Sequence, residues 1–142
     1  MVVREAEGVR VQSMVWGFPR PMKSKKTGLP IKPKPVNNIA EAEGKKGSMT
    51  RTWFAVKNRP ASAWAGMWRI SDEWGAVYSG MMTDCNEAVR PVHNRMPVLL
   101  HPEDYEQWLH GSLDDAVALQ DRCFPNELIT IERTTDLWIK RG

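Results

Sequence analysis

Apolar and polar residues alternate early in the chain. Val9, Val11 and Val15 occupy odd positions, with Arg10 and Gln12 between them. A period of two predicts a half-buried strand that ends at Trp16-Gly17. Phe18-Pro19-Arg20-Pro21 is expected to stop it, because proline has no N–H for a ladder. Residues 22–36 hold five lysines and three prolines with no apolar period, which predicts a loop with extended stretches. Residues 37–50 are small, polar and glycine-containing. They read as a second loop, with a brief ordered piece at Ile39–Glu43.

The apolar pattern then tightens. Trp53-Phe54-Ala55-Val56 predicts a strand and 57–60 a turn. Ala63–Trp68 predicts a buried strand, Asp72–Gly75 a turn and Val77–Thr83 another strand. Such close spacing suggests an antiparallel meander. Asp84 with Glu87 three residues on has a capping-box pattern, opening a short helix before Pro91. Pro97–Leu100 predicts a short strand. Pro102–Leu109 predicts a helix with proline at its first position and acids in its first turn, ending near Gly111. Ser112 opens another to about Gln120, and Leu128–Arg133 predicts a last strand. The class is α+β, a mostly antiparallel, barrel-like β-sheet with short peripheral helices.

Length fits one domain: 142 residues with 42% apolar and 26% charged. No apolar run approaches a membrane span, so no membrane partner is expected. No secretory signal is read at the start. Cys85 and Cys123 make no disulfide framework, and a reducing cytoplasm is expected. Charge is uneven. Residues 1–60 carry 13 Lys/Arg against 4 Asp/Glu, while residues 61–142 carry 7 against 13. A basic half suits a polyanionic partner, or is simply a solvated loop. Seven tryptophans are many for this length. Most belong in a core, and one or two on a basic surface would stack on unpaired bases.

Motif chemistry narrows the field. No second Cys or His stands at zinc-ligand spacing from either cysteine, so no metal or other cofactor is expected. No phosphate-binding glycine loop or nucleophile elbow occurs. His101 precedes a helix start and His110 ends a helix, both structural places. His93 lies between a short helix and a strand, and Pro97 holds Met96 extended. An imidazole there is suited to proton transfer, or to a structural role.

The run His93-Asn94-Arg95-Met96-Pro97-Val98-Leu99-Leu100, followed by Pro102-Glu103 and Trp108-Leu109, resembles the SOS-response-associated peptidase family of abasic-site processing proteins. Val15–Pro19, Trp53–Val56, Ala65–Trp68 and Met82–Asn86 resemble further family segments in order, over about residues 9–110. The resemblance implies binding of single-stranded DNA at abasic sites by a monomer, in a bacterial cytoplasm on the nucleoid. It further implies an amino-terminal cysteine that closes a thiazolidine crosslink with the sugar aldehyde, together with self-peptidase and lyase activity. Carried over by position, His93 is the proton-transfer group. Asn37 or Asn38 matches the family asparagine, and Glu41, with Glu43 second, the glutamate. Arg95 is expected on a phosphate. Trp16 is expected to flank a base, while Arg20, Lys23, Lys25 and Lys26 attract the backbone.

Two departures stand out. Position 2 is Val2, and both cysteines are internal. Residues 37–41 look like two family segments joined without the stretch between them. A chain truncated at the N-terminus and internally is therefore expected, as a fragment, a mis-started gene or a natural degenerate relative. The rival readings are a DNA-binding module without crosslinking and a structural protein whose charge asymmetry serves a protein partner.

Overall fold

The computed structural model describes residues 1–5, 7–36 and 50–137. Asn37, Asn38, Glu41, Glu43 and the ordered piece at 39–43 lie outside the described residues. The chain opens with β1 (Val2–Glu5) and β2 (Gly8–Val11), an antiparallel pair. Then come β3 (Val15–Trp16), β4 (Phe18–Lys23) and β5 (Pro30–Val36). After these lie β6 (Thr50–Val56), β7 (Ala63–Trp64), β8 (Gly66–Ser71), β9 (Gly75–Gly80) and β10 (Met82–Asp84). The order ends with β11 (Arg95–Pro97), β12 (Leu99–Leu100), α1 (Tyr105–His110), α2 (Leu113–Asp121) and β13 (Ile129–Leu137).

The structure is thus mostly β with two short α-helices, an α+β arrangement. Its strands form small ladders, and no closed barrel is found among the described residues. No helix among them is long and apolar enough to cross a membrane.

The expected meander does not form. β9 pairs antiparallel with β8 but parallel with β3. β7 pairs with β12, and β6 with β13. The reason lies at three strand breaks that meet. Ala65 N–H donates to the Val98 carbonyl (2.9 Å), Val98 N–H to the Met81 carbonyl (3.0 Å), and Met81 N–H to the Ala65 carbonyl (2.8 Å). This closed ring of three bonds satisfies the backbone exactly where the ladders stop. Ala65 and Val98 are almost fully buried there, beside Leu100 and Leu119. A second cluster packs Val56, Val89, Met96, Phe124 and Ile129 together.

Further expectations are corrected. The Val9–Val15 segment breaks into β2 and β3, and the β2 valines face solvent, Val11 at 81% exposure. The prolines after Trp16 do not stop a strand. β4 and β5 form a two-stranded ribbon over much of the expected loop, and Pro19 sits opposite Pro35. A pair that exchanges no hydrogen bonds asks neither partner for an N–H, so two prolines can share it. The register shifts between Arg20 and Met22, around Pro21. Asp84 opens no helix. Asn86 caps a turn instead, its Oδ1 accepting Val89 N–H at 3.0 Å. The expected buried strand at 63–68 is interrupted at Ala65, and Trp64 and Met67 stay exposed.

Both helices open as expected. A 3-10 turn at Pro102–Asp104 leads into α1, and the His101 N–H donates to Asp104 Oδ2 at 2.6 Å. Ser112 and Asp115 cap α2 reciprocally. Bonds from Gln107 and Ser112 hold the Asp115 carboxyl below its ordinary range. Asp104 is buried and fixes both helices, because the Arg122 guanidinium grips its two oxygens in a bidentate pair, Nη1 to Oδ1 at 2.8 Å and Nη2 to Oδ2 at 2.5 Å. That pair, and then the His101 N–H, hold the Asp104 carboxyl below the usual carboxylate value against the opposing effect of burial.

A depressed carboxyl stabilises the fold above the unfolded value, about 4, and that stabilisation is lost as pH falls through the lower folded value. Asp104→Asn is expected to cost about 2 kcal/mol at pH 7, as read by urea unfolding. The gap from the native chain should narrow progressively below about pH 4. A gap that stays constant down to the lowest pH would show that Asp104 carries no charge-linked stability.

Candidate nucleic-acid site

The segment that carries His93 is clasped at its base and pinned in its middle. β10 pairs with β11 so that Asp84 faces Arg95, and Cys85 N–H donates to the Asn94 carbonyl at 3.2 Å. Between these ends the chain turns through 86–93. Asn86 is buried at 2% exposure. Its Nδ2 donates to the Phe124 carbonyl at 2.7 Å, which ties the turn to the second cluster. The Val89 carbonyl in turn accepts Val92 N–H (2.8 Å) and His93 N–H (3.1 Å).

The His93 ring is thereby half-buried, with Nδ1 3.0 Å from both the Arg95 N–H and the Arg95 carbonyl. Nδ1 has a donor to face when it is bare and an acceptor when it carries a proton. Nε2 has no partner among the described residues.

His93 and Arg95 line a cavity of about 530 Å³ with Phe54, Val89, Met96 and Trp64. Arg95 is half-buried rather than spread on the surface. Its Nη2 donates to the Met82 carbonyl at 2.9 Å, while its Nε is buried with no acceptor among the described residues. The guanidinium keeps donors available to an oxygen-bearing ligand.

Trp64 is the wall that sequence reading missed. It lines this cavity and a second one of about 510 Å³, bordered also by Tyr78, Tyr105 and Trp108. Its Nε1 donates to the Met81 carbonyl at 2.6 Å, the same oxygen that takes Val98 N–H in the ring of strand breaks. The indole lies over Gly80, where any Cβ would collide with its ring. Trp64 meets Trp16 edge to face at 6.2 Å, and Trp16 stacks on Tyr78 at 6.4 Å and 11°. The parallel β3–β9 pairing sets that stack, since Trp16 and Tyr78 are register partners. Trp16 is 44% exposed and Trp64 38%, an open aromatic platform beside the cavity. Only the Trp64–Gly80 proximity could have signalled it, and 16 residues of chain separate the two.

Gly17 turns the chain from this platform into β4, with φ of 104° and its N–H on the Tyr78 carbonyl at 2.7 Å. Phe18 follows, under the Arg69 guanidinium at 5.1 Å. Arg20, Lys23, Lys25 and Lys26 are exposed on the ribbon and its turn, which begins two residues beyond Trp16. The structure therefore brings His93, Arg95, Trp64 and Trp16 into one neighbourhood and places the basic side chains on the adjoining ribbon.

Other groups have structural work. The His101 ring stacks on Phe124 at 4.7 Å, and His110 lies 3.6 Å from Glu106. Cys85 is buried, and the exposed Cys123 thiol faces the Phe124 carbonyl at 3.8 Å. Among the described residues no group of His, Cys, Asp and Glu is placed to hold a metal ion.

A half-buried histidine and arginine in an aromatic-walled cavity, beside a basic ribbon, have the chemistry of a nucleic-acid site. The family comparison agrees in kind. The chain belongs to the SOS response associated peptidase (SRAP) family, whose model matches residues 41–135. That span holds the His93–Pro97 run, Trp64 and Asn86, and it stops short of Trp16 and the basic ribbon. Membership supports a role in the SOS response to DNA damage and suggests DNA as a partner. No curated protein and no solved structure matches the chain.

Gly80→Ala should displace the Trp64 indole and break its bond to Met81. The expected cost is about 1–3 kcal/mol, as for other overpacked sites, with a weakened near-UV circular dichroism signal. An unchanged spectrum and melting temperature would contradict the assigned packing of Trp64 on Gly80.

Proposed function

We propose that the protein binds single-stranded DNA at abasic sites and processes the baseless sugar in the His93–Arg95 cavity. The observation that carries this reading is the continuity of that cavity with the Trp64–Trp16–Tyr78 platform. A strand lacking one base offers a sugar small enough for the cavity and neighbouring bases with open faces for the platform. Arg95 meets a phosphate or sugar oxygen with its spare donors. Arg20, Lys23, Lys25 and Lys26 contact further phosphates. Asn37 or Asn38 and Glu41 are proposed partners in the reaction on the strength of the family resemblance. The protein works as a monomer on the nucleoid.

The proton chemistry follows from His93. The closed sugar opens when the C1′–O4′ bond breaks, O4′ takes a proton and the C1′ hydroxyl loses one. Protonated His93, its Nδ1–H directed at the Arg95 carbonyl, gives the Nε2 proton to O4′. The C1′ hydroxyl proton passes to a carboxylate, the role proposed for Glu41. The product is the open aldehyde and a neutral ring whose Nδ1–H keeps its acceptor.

A second reading is binding without covalent chemistry. Neither Cys85 nor Cys123 supplies the crosslink, because an internal cysteine has no α-amine with which to close a thiazolidine. A denaturing gel separates the two. A heat-stable shifted band with an abasic oligonucleotide supports a crosslink. Its absence with retained binding supports the module.

Fluorescence anisotropy with abasic and intact single strands tests the binding itself. The four ribbon contacts, from Arg20, Lys23, Lys25 and Lys26, are expected to contribute about −3 to the slope of log affinity against log salt. Changing Lys23, Lys25 and Lys26 together to serine should make that slope shallower by about 2. His93→Ala should keep affinity within about twofold and slow strand incision or crosslink release by about 10²-fold or more. Equal affinity for intact and abasic strands would remove the abasic-site reading.

A further inference from the structure

We propose that Asn86 is the positioning residue for His93, acting through a relay of hydrogen bonds rather than by touching substrate. The proposal rests on the reading of His93 as a proton-transfer group, and it adds a residue to that site from outside the cavity lining. Asn86 is one of three buried polar or charged residues among those described, with Ser71 and Asp104. Asp104 is paired with Arg122 and Ser71 holds its own turn. Asn86 instead ties the 86–93 turn to the elements packed around it. Nδ2 reaches 38 residues along the chain to the Phe124 carbonyl at 2.7 Å. Oδ1 takes Val89 N–H at 3.0 Å, the Asn86 carbonyl takes Arg90 N–H at 3.0 Å, and the Asn86 N–H faces Met96 Sδ at 3.5 Å.

The relay then continues. The same Val89 peptide pair that is held by Asn86 leads to the Val89 carbonyl, which accepts His93 N–H at 3.1 Å. From there the ring falls between the N–H and carbonyl of Arg95, each 3.0 Å from Nδ1. Each link is fixed by the one before it, and the first is anchored in the packed Phe124 region. A turn containing Pro91 has one fewer backbone donor with which to hold itself. Side chains therefore help to hold it, and Asn86, at its start, bonds the Val89–Arg90 part that leads to His93. Burying an amide is costly unless its polar atoms are satisfied, and here Oδ1 holds the turn while Nδ2 anchors it to the Phe124 carbonyl.

Nitrogen-15 NMR of the His93 imidazole reads the consequence directly and without DNA. Asn86→Ala should shift both ring nitrogen resonances, as the balance of Nδ1 between the Arg95 N–H and carbonyl changes. Asn86→Ser keeps an acceptor for Val89 N–H and loses the reach to Phe124, so a smaller shift in the same direction is expected. Asn126→Ala is the control. It removes a different tether of the same turn, Asn126 Oδ1 to Ala88 N–H at 3.1 Å, and should leave the His93 resonances in place. If the alanine variant does not fold, the serine variant decides.

Unchanged His93 resonances in a folded Asn86 variant would overturn the proposal, as would an equal shift in Asn126→Ala. In the incision assay Asn86→Ala should lower the rate about ten- to hundredfold with affinity for the abasic strand held within about twofold. If the native chain shows no incision, the reading of His93 as a proton carrier fails while the NMR result still decides the positioning role.

Discussion

The closed ring of hydrogen bonds among Ala65, Met81 and Val98 is the constraint on which the rest of the structure depends. Three segments of the chain break their ladders at these residues, and each residue gives its N–H to the carbonyl of another. Without that ring, the N–H and carbonyl of Ala65 and Val98 and the N–H of Met81 would lose their partners, each at a cost comparable to a lost hydrogen bond, and only the Met81 carbonyl would keep one, in Trp64. The ring also sets the site. Met81 and Ala65 are the breaks next to Trp64, Gly80 and Met82, and Val98 is the break after β11. The Trp64 indole N–H donates to the Met81 carbonyl, and Arg95 Nη2 donates to the Met82 carbonyl. The platform and the arginine thus hang from adjacent carbonyls of one short segment.

The two walls of the cavity are held by different means. The aromatic wall is packed and its tryptophans are exposed, so its stability comes from ring contacts and the close approach of Gly80. The histidine wall is a turn held from within by a buried amide. Strand-borne aromatics supply a fixed surface, while a turn delivers a ring whose Nδ1 has a backbone partner in either protonation state. This division suits a site that must grip a flexible strand and also move a proton.

Much of this was legible in the sequence, and the failures have physical causes. The helix starts at Pro102 and Ser112 were readable because capping depends on residues three apart. The strand at Trp53–Val56 and the turns at 57–60 and 72–75 were readable from local apolar runs and turn residues. His93 was readable as loop-borne, and its family run carried Arg95. Strand pairing was not readable. A parallel β3–β9 pair and the β7–β12 and β6–β13 pairs depend on where ladders break, and Ala65 has no local mark of a break. The prolines of 19–35 misled because their cost depends on which way an absent N–H would point. Trp64 was read as core because size alone suggests burial, and only its contacts with Gly80 and Trp16 reveal the platform. Asn86 was part of a resembling segment, yet its role rests on a carbonyl 38 residues away.

The central claim is that one cavity, between His93 and the Trp64 wall, receives the baseless sugar of single-stranded DNA. Backbone and side-chain NMR titration of the full chain tests it most directly. The ligands are two short single strands that differ only in a tetrahydrofuran residue replacing one nucleotide. The account predicts that both strands perturb Lys23, Lys25 and Lys26. It predicts that only the tetrahydrofuran strand moves the His93 imidazole, the Arg95 guanidinium and the Trp64 indole N–H. Identical perturbations from both strands, or none at His93 and Arg95, would contradict it.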